Sequence, residues 1–320
     1  RFGNWLDNNV DWAFSRERYW GTPLNIWKCQ SCSHNECIGG IKELQEGFER
    51  LRKGKPEKLA EEILTGRPVR NPEELKDFHR PSIDEIPLLC PKCGDIMWRV
   101  PEVIDCWFDS GAMPFAQWHY PFENRDKFEQ NFPADFICEA VDQTRGWFYS
   151  LHAISTLVFG KPCFRNVICL GHVVDARGDK MSKSKDNVIN PWTVADNYGA
   201  DTLRWYLLSS APAENMHRFS IEMVAETMRK VLLTLWNTYS FFTLYANIDG
   251  FIPQLSASLP LAELDNWIIS ELNRLVAEVN NALDNYNPTK AARIIEEFVN
   301  NLSNWYVRRS RRRFWKSEND

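Results

Sequence analysis

The sequence predicts an α/β domain with a parallel, doubly wound sheet, followed by a helical bundle. Three observations favour this fold class. The length of 320 residues suits about two domains. Between residues 100 and 220, short apolar runs alternate with helical periodicity in the order strand, helix, strand, helix. Beyond residue 220 the periodicity is helical only. We therefore predict an α/β domain over residues 1–220 and a helical domain over residues 221–320.

The elements of the α/β domain place polar groups at strand ends. The predicted elements are a strand over 136–139, a helix over 146–159, a strand over 167–170 and a helix over 191–208. Glu139 ends the first strand, and Gly171 and His172 follow the second. Ligands of doubly wound sheets bind at the carboxyl ends of the strands, so these residues mark a candidate ligand site.

Two further regions have helical patterns. The bundle is predicted as helices over 223–245, 264–283 and 291–306, separated by Pro253, Pro260 and Pro288. Residues 41–87 are rich in Lys and Glu, show helical spacing at their start and are interrupted by five prolines. We expect them to form a solvated, partly helical insertion.

The composition excludes several classes of protein. Hydrophobic residues make up 44% and charged residues 25% of the chain, as in soluble globular proteins. There is no run of 18 apolar residues, which excludes a membrane span. The net charge of −5 means that nucleic-acid binding would require a local basic patch. Nine cysteines, an odd number, favour a reducing compartment and predict a cytoplasmic location.

Four of the cysteines have the spacing of metal ligands. They form two CxxC pairs, Cys29 with Cys32 and Cys90 with Cys93. Each CxxC turn places two thiolates on one ion, and two turns make a closed tetrahedral site, so we predict structural Zn²⁺. Two alternatives stay open: unrelated turns with free thiols, or replacement of one ligand by Cys37 or His34.

A lysine-rich loop follows the second predicted strand. Lys180 and Lys183 lie three residues apart, after the flexible segment 177–179. Two ammonium groups on a mobile loop can close over a polyphosphate. A solvated loop without function is the alternative, but the position between a buried strand and a helix favours a nucleotide site.

The end of the chain is basic and aromatic. The cations are Arg308, Arg309, Arg311, Arg312, Arg313 and Lys316, with four aromatic residues around them. Such a cluster can bind an RNA backbone, here through Arg308, Arg309, Arg311 and Arg312. The alternative is a helix end whose cations neutralise the helix dipole.

Lys180-Met181-Ser182-Lys183-Ser184 resembles the KMSKS signature of the class I aminoacyl-tRNA synthetases. Residues 11–21, 105–111, 142–148 and 304–311 are similar to segments of the isoleucyl-tRNA synthetase family, so the resemblance covers nearly the whole chain. The cysteine pairs and His79-Arg80-Pro81 resemble the archaeal and eukaryotic type. The resemblance implies the second half of a Rossmann-like catalytic domain, a zinc-binding insertion over about residues 27–95, and the first part of an anticodon-binding domain.

The resemblance also implies a reaction and its residues. L-Isoleucine would be activated with ATP, accompanied by Mg²⁺, to isoleucyl-adenylate and transferred to tRNA(Ile). Lys180 and Lys183 would hold the leaving phosphates. The residues implied to contact ATP or the adenylate are Glu139, Asp142, Gln143, His172 and Lys183. Trp107 and Trp147 would be walls of the isoleucine pocket, with plain core packing as the alternative. The family has Gly where this chain has Ala140.

The family's HIGH-type motif does not occur in these 320 residues. Because the chain starts with Arg1, we interpret it as a piece of a longer polypeptide, with a processed N-terminus as the alternative. The missing N-terminal half, with its editing domain, is then an expected partner, and the isolated chain is expected to be inactive. Three other functions stay open: a non-catalytic tRNA-binding or regulatory fragment, a nucleotidyl-transferring enzyme with another substrate, and a zinc-dependent scaffold.

Overall fold

A computed structural model describes residues 2–253 and 261–315. They fold as two compact units, one of residues up to 135 with residues 142–165, the other of residues 136–141 with those from 166 on. These compact units are not the predicted domains, so the division into residues 1–220 and 221–320 remains a prediction from the sequence. Pro260 and Lys316, named above, lie outside the described residues. Within the described part of the chain, no helix combines the length and the apolar character needed to cross a membrane.

Among its described residues, the first unit contains six complete strands and six α-helices. In chain order they are α1 (Phe2–Asp7), β1 (Ser15–Arg16), β2 (Ile26–Cys29), β3 (Asn35–Cys37), α2 (Ile41–Gly54), α3 (Pro56–Leu64), β4 (Leu88–Leu89), β5 (Ile96–Arg99), β6 (Val103–Ile104), α4 (Cys106–Ala116), α5 (Arg125–Asn131) and α6 (Trp147–Phe159). β3, β2, β5 and β4 form an antiparallel sheet in that order, and β1 pairs with β6. Trp27 of β2 lies opposite Arg99 of β5.

The insertion has a core of its own. Leu44 and Phe48 of α2 are buried against Trp27, Leu88 and Met97 of the sheet. The insertion over 41–87 is partly helical and its charged residues are mostly exposed, as predicted, but its buried apolar face was not expected. The i, i+4 spacing of its apolar residues gives α2 one apolar face, which the sheet covers. Pro56 begins α3, and α2 keeps its apolar face in the core.

The paired strands β7 (Ala134–Ala140) and β8 (Phe164–Leu170) have most of their residues in the second unit. It continues with β9 (Val173–Val174), α7 (Pro191–Tyr198), α8 (Ala200–Ser209), β10 (His217–Arg218), α9 (Ile221–Thr227), α10 (Leu233–Ile248), α11 (Glu263–Asp284), α12 (Pro288–Asn300), α13 (Arg308–Ser310) and α14 (Arg312–Trp315). π-Helical turns over 228–232 and 301–307 continue α9 into α10 and α12 into α13. β9 and β10 are parallel, with Val173 opposite His217.

The predicted helix over 191–208 is two helices. Gly199 separates α7 from α8 with φ of +86°, a backbone conformation that favours glycine. Both helices contribute to one apolar cluster, formed by Val194, Tyr206, Phe219 and Val224, against which Met181 packs. The three bundle helices occur where they were predicted, with α9 and α10 filling the first.

Polar contacts fix α12 to α8 and the turn after it. The Trp205 indole N–H donates to Glu296 Oε1 at 2.7 Å. Arg293 Nε donates to the Ser209 carbonyl at 3.0 Å, and the Thr289 hydroxyl donates to the Ala211 carbonyl at 3.0 Å. The helical region and the segment that follows the loop lysines are therefore held together within the second unit.

We expect Gly171→Ala to destabilise the protein strongly. A Cβ at Gly171 would lie 1.8 Å from the Asn215 carbonyl oxygen, and backbone atoms cannot move aside as a flexible side chain can. Overpacking of this kind is expected to lower the free energy of unfolding by about 3 kcal/mol. Thermal or urea unfolding measures it. The control is Gly54→Ala, whose Cβ would meet only Leu89 at 3.8 Å and should not destabilise.

Candidate functional site

The structure brings the four thiols of the CxxC pairs together. The Sγ atoms of Cys29, Cys32, Cys90 and Cys93 all lie within 4.8 Å of one another. Cys29 Sγ is 3.4 Å from Cys93 Sγ, and Cys32 Sγ is 3.6 Å from Cys90 Sγ. A tetrahedral Zn²⁺ with Zn–S bonds of about 2.3 Å needs sulfur atoms about 3.8 Å apart, so these residues fit the ion.

Backbone hydrogen bonds shape both turns. The Cys29 N–H donates to the His34 carbonyl at 2.8 Å, and the Cys90 N–H donates to the Asp95 carbonyl at 2.7 Å. Burial opposes ionisation of the Cys29 thiol, but hydrogen bonds from the backbone of Cys32 and Ser31 lower its pKa to about 7. Neither Cys37 nor His34 belongs to the described cluster.

The Asp95 carboxylate links the two turns to α3. It accepts hydrogen bonds from the Ser31 hydroxyl in the first turn and the Lys58 ammonium of α3, and from the Ile96 N–H at 2.9 Å. The Lys58 side-chain hydrogen bond comes first among the interactions that lower the pKa of Asp95 to about 2. The Ser31 hydrogen bond thus joins the two turns, and the Lys58 salt bridge joins the second turn to α3.

The lysine loop leaves β9 and is braced at its base. Val174 forms an isolated β-bridge with Lys180, and the Asp175 N–H donates to the Asp179 carbonyl at 2.9 Å. Residues 183–185 form a 3₁₀ turn. The side chains of Lys180 and Lys183 are exposed, and neither forms an ion pair within residues 2–253 and 261–315. Two free cations therefore project from a braced loop.

Asp175 and Asn187 brace this loop, and neither was predicted from the sequence. Asn187 Nδ2 donates to Asp175 Oδ2 at 3.0 Å. This hydrogen bond, followed by backbone N–H groups such as that of Asp179, lowers the pKa of Asp175, so the carboxylate stays ionised at neutral pH. The sequence signal for this pair was an acidic residue, Asp175, before the lysines and an amide residue, Asn187, after them.

The residues implied to contact the adenylate occupy both units. Glu139 is exposed near the end of β7, and His172 is exposed just after β8, both in the second unit. Asp142 is exposed in the first unit. Gln143 caps α6, because its Oε1 accepts from the Trp147 N–H at 2.8 Å, while its Nε2 donates to Asp142 at 3.3 Å. Ala140 is the last residue of β7, with an extended backbone.

Trp107 and Trp147 lie where α4 and α6 meet. The Trp147 indole N–H donates to the Ser110 carbonyl at 3.1 Å, which fixes its ring. Trp107 is 41% exposed and lines a cavity of about 210 Å³ together with Trp5, Trp12 and Tyr149. Trp147 is not among the residues that line it. None of these three other aromatic residues was predicted to line a cavity, although Trp12 lies in segment 11–21 and Tyr149 directly follows segment 142–148.

An ion pair also holds the start of α4. Asp105 is buried at the start of α4 and accepts from the Trp12 indole at 3.2 Å and from Arg16. Burial opposes its ionisation, but a hydrogen bond from the Trp107 N–H, together with the Trp12 bond and the Arg16 charge, holds the pKa of Asp105 below its usual value. The carboxylate therefore caps the helix on which Trp107 stands.

The basic end of the chain is partly occupied by internal contacts. Arg308, Arg309, Arg311 and Arg312 are exposed. Arg309 stacks over the Trp305 ring at 4.3 Å, and Arg313 donates to Asp265 Oδ1 at 2.7 Å. Asp265 is buried and also accepts from the Tyr306 hydroxyl at 2.8 Å. The first four arginines remain available to an anionic partner.

We expect Asp265→Asn to destabilise the protein at neutral pH. The Arg313 hydrogen bond lowers the pKa of Asp265, so its stabilisation is present above the unfolded value and is lost as pH falls through the folded value. Since Arg313 is half-exposed, water screens the pair and the expected loss is about 1–2 kcal/mol at pH 7.

Urea unfolding at pH 7 and at pH 3 measures this difference, which should shrink at the lower pH. The control is Asp284→Asn, an exposed carboxylate at the end of the same helix, with an expected change within about 0.5 kcal/mol. Equal losses for both variants at pH 7 would contradict the prediction.

Comparison with known families covers most of the chain. Residues 1–219 match the family described as tRNA synthetases class I (I, L, M and V). Residues 265–320 match the anticodon-binding domain of tRNA ligases.

The curated relatives include isoleucine–tRNA ligases. That of Dehalococcoides mccartyi strain CBDB1 is 60% identical over 326 residues, which cover 100% of this chain and 30% of the relative. Those of Clostridium acetobutylicum and Thermus thermophilus are 53% and 50% identical, each covering 99% of this chain and 29% of the relative. The chain thus spans about 30% of their length. All three are bacterial, so the expected archaeal and eukaryotic type is not supported.

Solved structures share the fold. The leucyl-tRNA synthetase of Agrobacterium radiobacter K84, in a ternary complex with tRNA and LeuAMS, has a TM-score of 0.65 and 20% identity, covering 94% of this chain and 36% of that one. Methionyl-tRNA synthetase of Mycobacterium tuberculosis with methionyl-adenylate has a TM-score of 0.58 and 20% identity, covering 84% of this chain and 52% of that one. This likeness confirms the predicted fold class, a Rossmann-like α/β domain followed by helices.

Proposed function

The chain belongs to the class I tRNA synthetases of the isoleucine, leucine, methionine and valine group, and we propose that it serves isoleucine–tRNA ligation. The relatives at 50–60% identity are named for this reaction. In our proposal residues 1–220 are the C-terminal portion of the catalytic domain, with the zinc-binding insertion at about 27–95. Residues 221–320 are the N-terminal portion of the anticodon-binding domain, and the activity belongs to the whole synthetase.

The observation that supports this function best is the pair of free ammonium groups on the braced loop. In the reaction the carboxylate of L-isoleucine attacks the α-phosphorus of ATP and pyrophosphate leaves. Lys180 and Lys183 bind the β- and γ-phosphoryl oxygens and stabilise the negative charge that develops there. Mg²⁺ bound with ATP would share this charge. No covalent nucleophile is needed, because positioning and electrostatics lower the barrier.

Other residues in this proposal hold the adenylate. Glu139 at the end of β7 and His172 after β8 lie at carboxyl ends of strands, where such sheets bind ligands. The Glu139 carboxylate would pair with the ammonium of isoleucine or a ribose hydroxyl. Asp142 and Gln143 would bind the ribose or backbone polar groups, and His172 the adenine or ribose.

Trp107 and Trp147 would form walls of the isoleucine pocket. A branched apolar side chain offers only its shape and its buried area for recognition. The fixed Trp147 ring gives a rigid wall, and the more exposed Trp107 borders a cavity. One methylene distinguishes isoleucine from valine by about 1–3 kcal/mol, a range for which this enzyme family is itself the standard example.

The remaining assignments concern zinc and tRNA. The four clustered thiols would hold Zn²⁺ as a structural ion, since the cluster leaves no open position for a substrate. The four exposed arginines would contact the backbone of tRNA(Ile). Nine cysteines, an odd number, agree with a reducing cytoplasm.

ATP–pyrophosphate exchange tests the function in a full-length synthetase that contains these 320 residues. We expect exchange with L-isoleucine at a kcat/KM about 10- to 200-fold above that with L-valine, and above that with L-leucine. Equal exchange with all three amino acids would contradict an isoleucine enzyme. Binding of tRNA(Ile) without any exchange would favour the non-catalytic alternative.

The 320-residue chain by itself is expected to show no exchange, because it contains no HIGH-type motif. Exchange by this chain that is lost in Lys183→Ala would contradict the expectation. The same assay with the full-length protein supplies the positive control.

A further inference from the structure

We propose that Asn187 and Asp175 form a clamp that positions Lys180 and Lys183 for catalysis. The inference rests on the proposed function and names two positioning residues for it. The clamp is the pair of side chains, Asn187 and Asp175, with the backbone groups that they bind.

Asn187 uses both ends of its amide. Its Nδ2 donates to Asp175 Oδ2 at 3.0 Å and to the Lys180 carbonyl at 3.3 Å. Its Oδ1 accepts from the Ser182 N–H at 2.9 Å. One side chain thereby fixes the backbone on both sides of Met181, next to each of the two lysines.

Asp175 secures the other arm of the loop. Its Oδ1 accepts from the Arg177 N–H at 3.0 Å and from the Asp179 N–H at 2.9 Å. Its Oδ2 accepts from Asn187. The carboxylate therefore ties the turn that leads into Lys180 to the residue that follows the lysine pair.

The lysine side chains depend on a positioned backbone, because no ion pair among the described residues holds them. Both side chains are exposed and without an ion pair in the described ranges, so the backbone sets where their ammonium groups can reach. Met181 packs against the cluster of Tyr206 and Val224, which anchors the centre of the clamped segment. Pre-organised cations stabilise a developing charge without a cost of ordering during the reaction.

The hydrogen-bonding chemistry of Asp175 and Asn187 predicts the effect of each substitution. Asn187→Asp places a second carboxylate about 3.0 Å from Asp175 and removes the only donor between them. The double variant Asp175→Asn with Asn187→Asp restores one donor facing one acceptor. In it Asn at 175 can still accept from two backbone N–H groups, and Asp at 187 from Ser182; only the bond to the Lys180 carbonyl is lost.

The experiment is ATP–pyrophosphate exchange in the full-length synthetase. For Asn187→Asp we expect kcat to fall about 10- to 100-fold, with KM for L-isoleucine within about twofold, because the lost hydrogen bond involves a charged group. The double variant should recover to within about threefold of wild type. The matched control is Asn190→Asp, which keeps the cap of α7 and should stay within about twofold.

Hydrogen exchange in the 320-residue chain provides the second readout. The Ser182 and Asp179 amides should exchange faster in Asn187→Asp and return toward wild type in the double variant. A double variant no better than Asn187→Asp, or single variants as active as wild type, would overturn the clamp. No exchange activity in the wild-type synthetase would overturn the proposed function itself, whatever the amides show.

Discussion

Lys183→Ala is expected to lower ATP–pyrophosphate exchange by the full-length synthetase about 100- to 1000-fold. That is the usual effect of removing one pre-organised donor from a developing anion. Lys183 is exposed and free of ion pairs in the described chain, so its removal breaks no salt bridge there. The free energy of unfolding should therefore stay within about 0.5 kcal/mol of wild type. Steady-state exchange and thermal unfolding measure the two effects.

The control for this prediction lies in the same turn. Lys185 is exposed and belongs with Lys183 to the 3₁₀ segment, but it is outside the pair assigned to the phosphates. Lys185→Ala should change exchange by no more than about threefold. If Lys183→Ala and Lys185→Ala are equally active, the assignment of the leaving phosphates to Lys183 is wrong.

Loss of one clustered cysteine is expected to unfold the insertion over about residues 27–95, to which we assign zinc. Cys29 and Cys90 are fully buried within the same core as Trp27 and Met97. Zinc binding contributes about 10–16 kcal/mol to small structural sites, which exceeds the stability of many domains. Cys90→Ser should therefore lose bound zinc and the slow amide exchange of β2 and β5. Metal analysis and hydrogen exchange measure these changes.

Cys37→Ser is the matched control, since Cys37 is exposed at the end of β3 and outside the thiol cluster. It should keep one equivalent of zinc and the wild-type exchange pattern. Full zinc occupancy and wild-type amide protection in Cys90→Ser would contradict a structural role for the ion.

Elements with strong periodicity could be predicted from the sequence. The apolar runs at 136–139 and 167–170 are parts of β7 and β8, and the periodic bundle segments are helices. In each case the apolar residues recur with the period of a strand or of a helix, which is a local property of the chain. The break at Gly199 was missed because isolated glycines are tolerated within many helices.

The residues that support the site were harder to predict. The pairing of Asp175 with Asn187, and of Asp95 with Lys58, depends on how a loop or a helix is placed in three dimensions. The core of the insertion was missed for a related reason, since its charged residues conceal a single apolar face on α2. Short motifs could be found from spacing alone, but their supporting contacts could not.

The engagement of Arg313 by Asp265 has a consequence for how RNA binding would respond to salt. Each arginine that newly neutralises a phosphate releases condensed counterions, and their number sets the slope of affinity against ionic strength. Arg313 already faces a protein carboxylate and contributes little to that release. The slope of affinity against salt concentration would therefore reflect only the neighbouring arginines that have no ion pair. RNA binding would then weaken less with added salt than the number of arginines in the segment suggests.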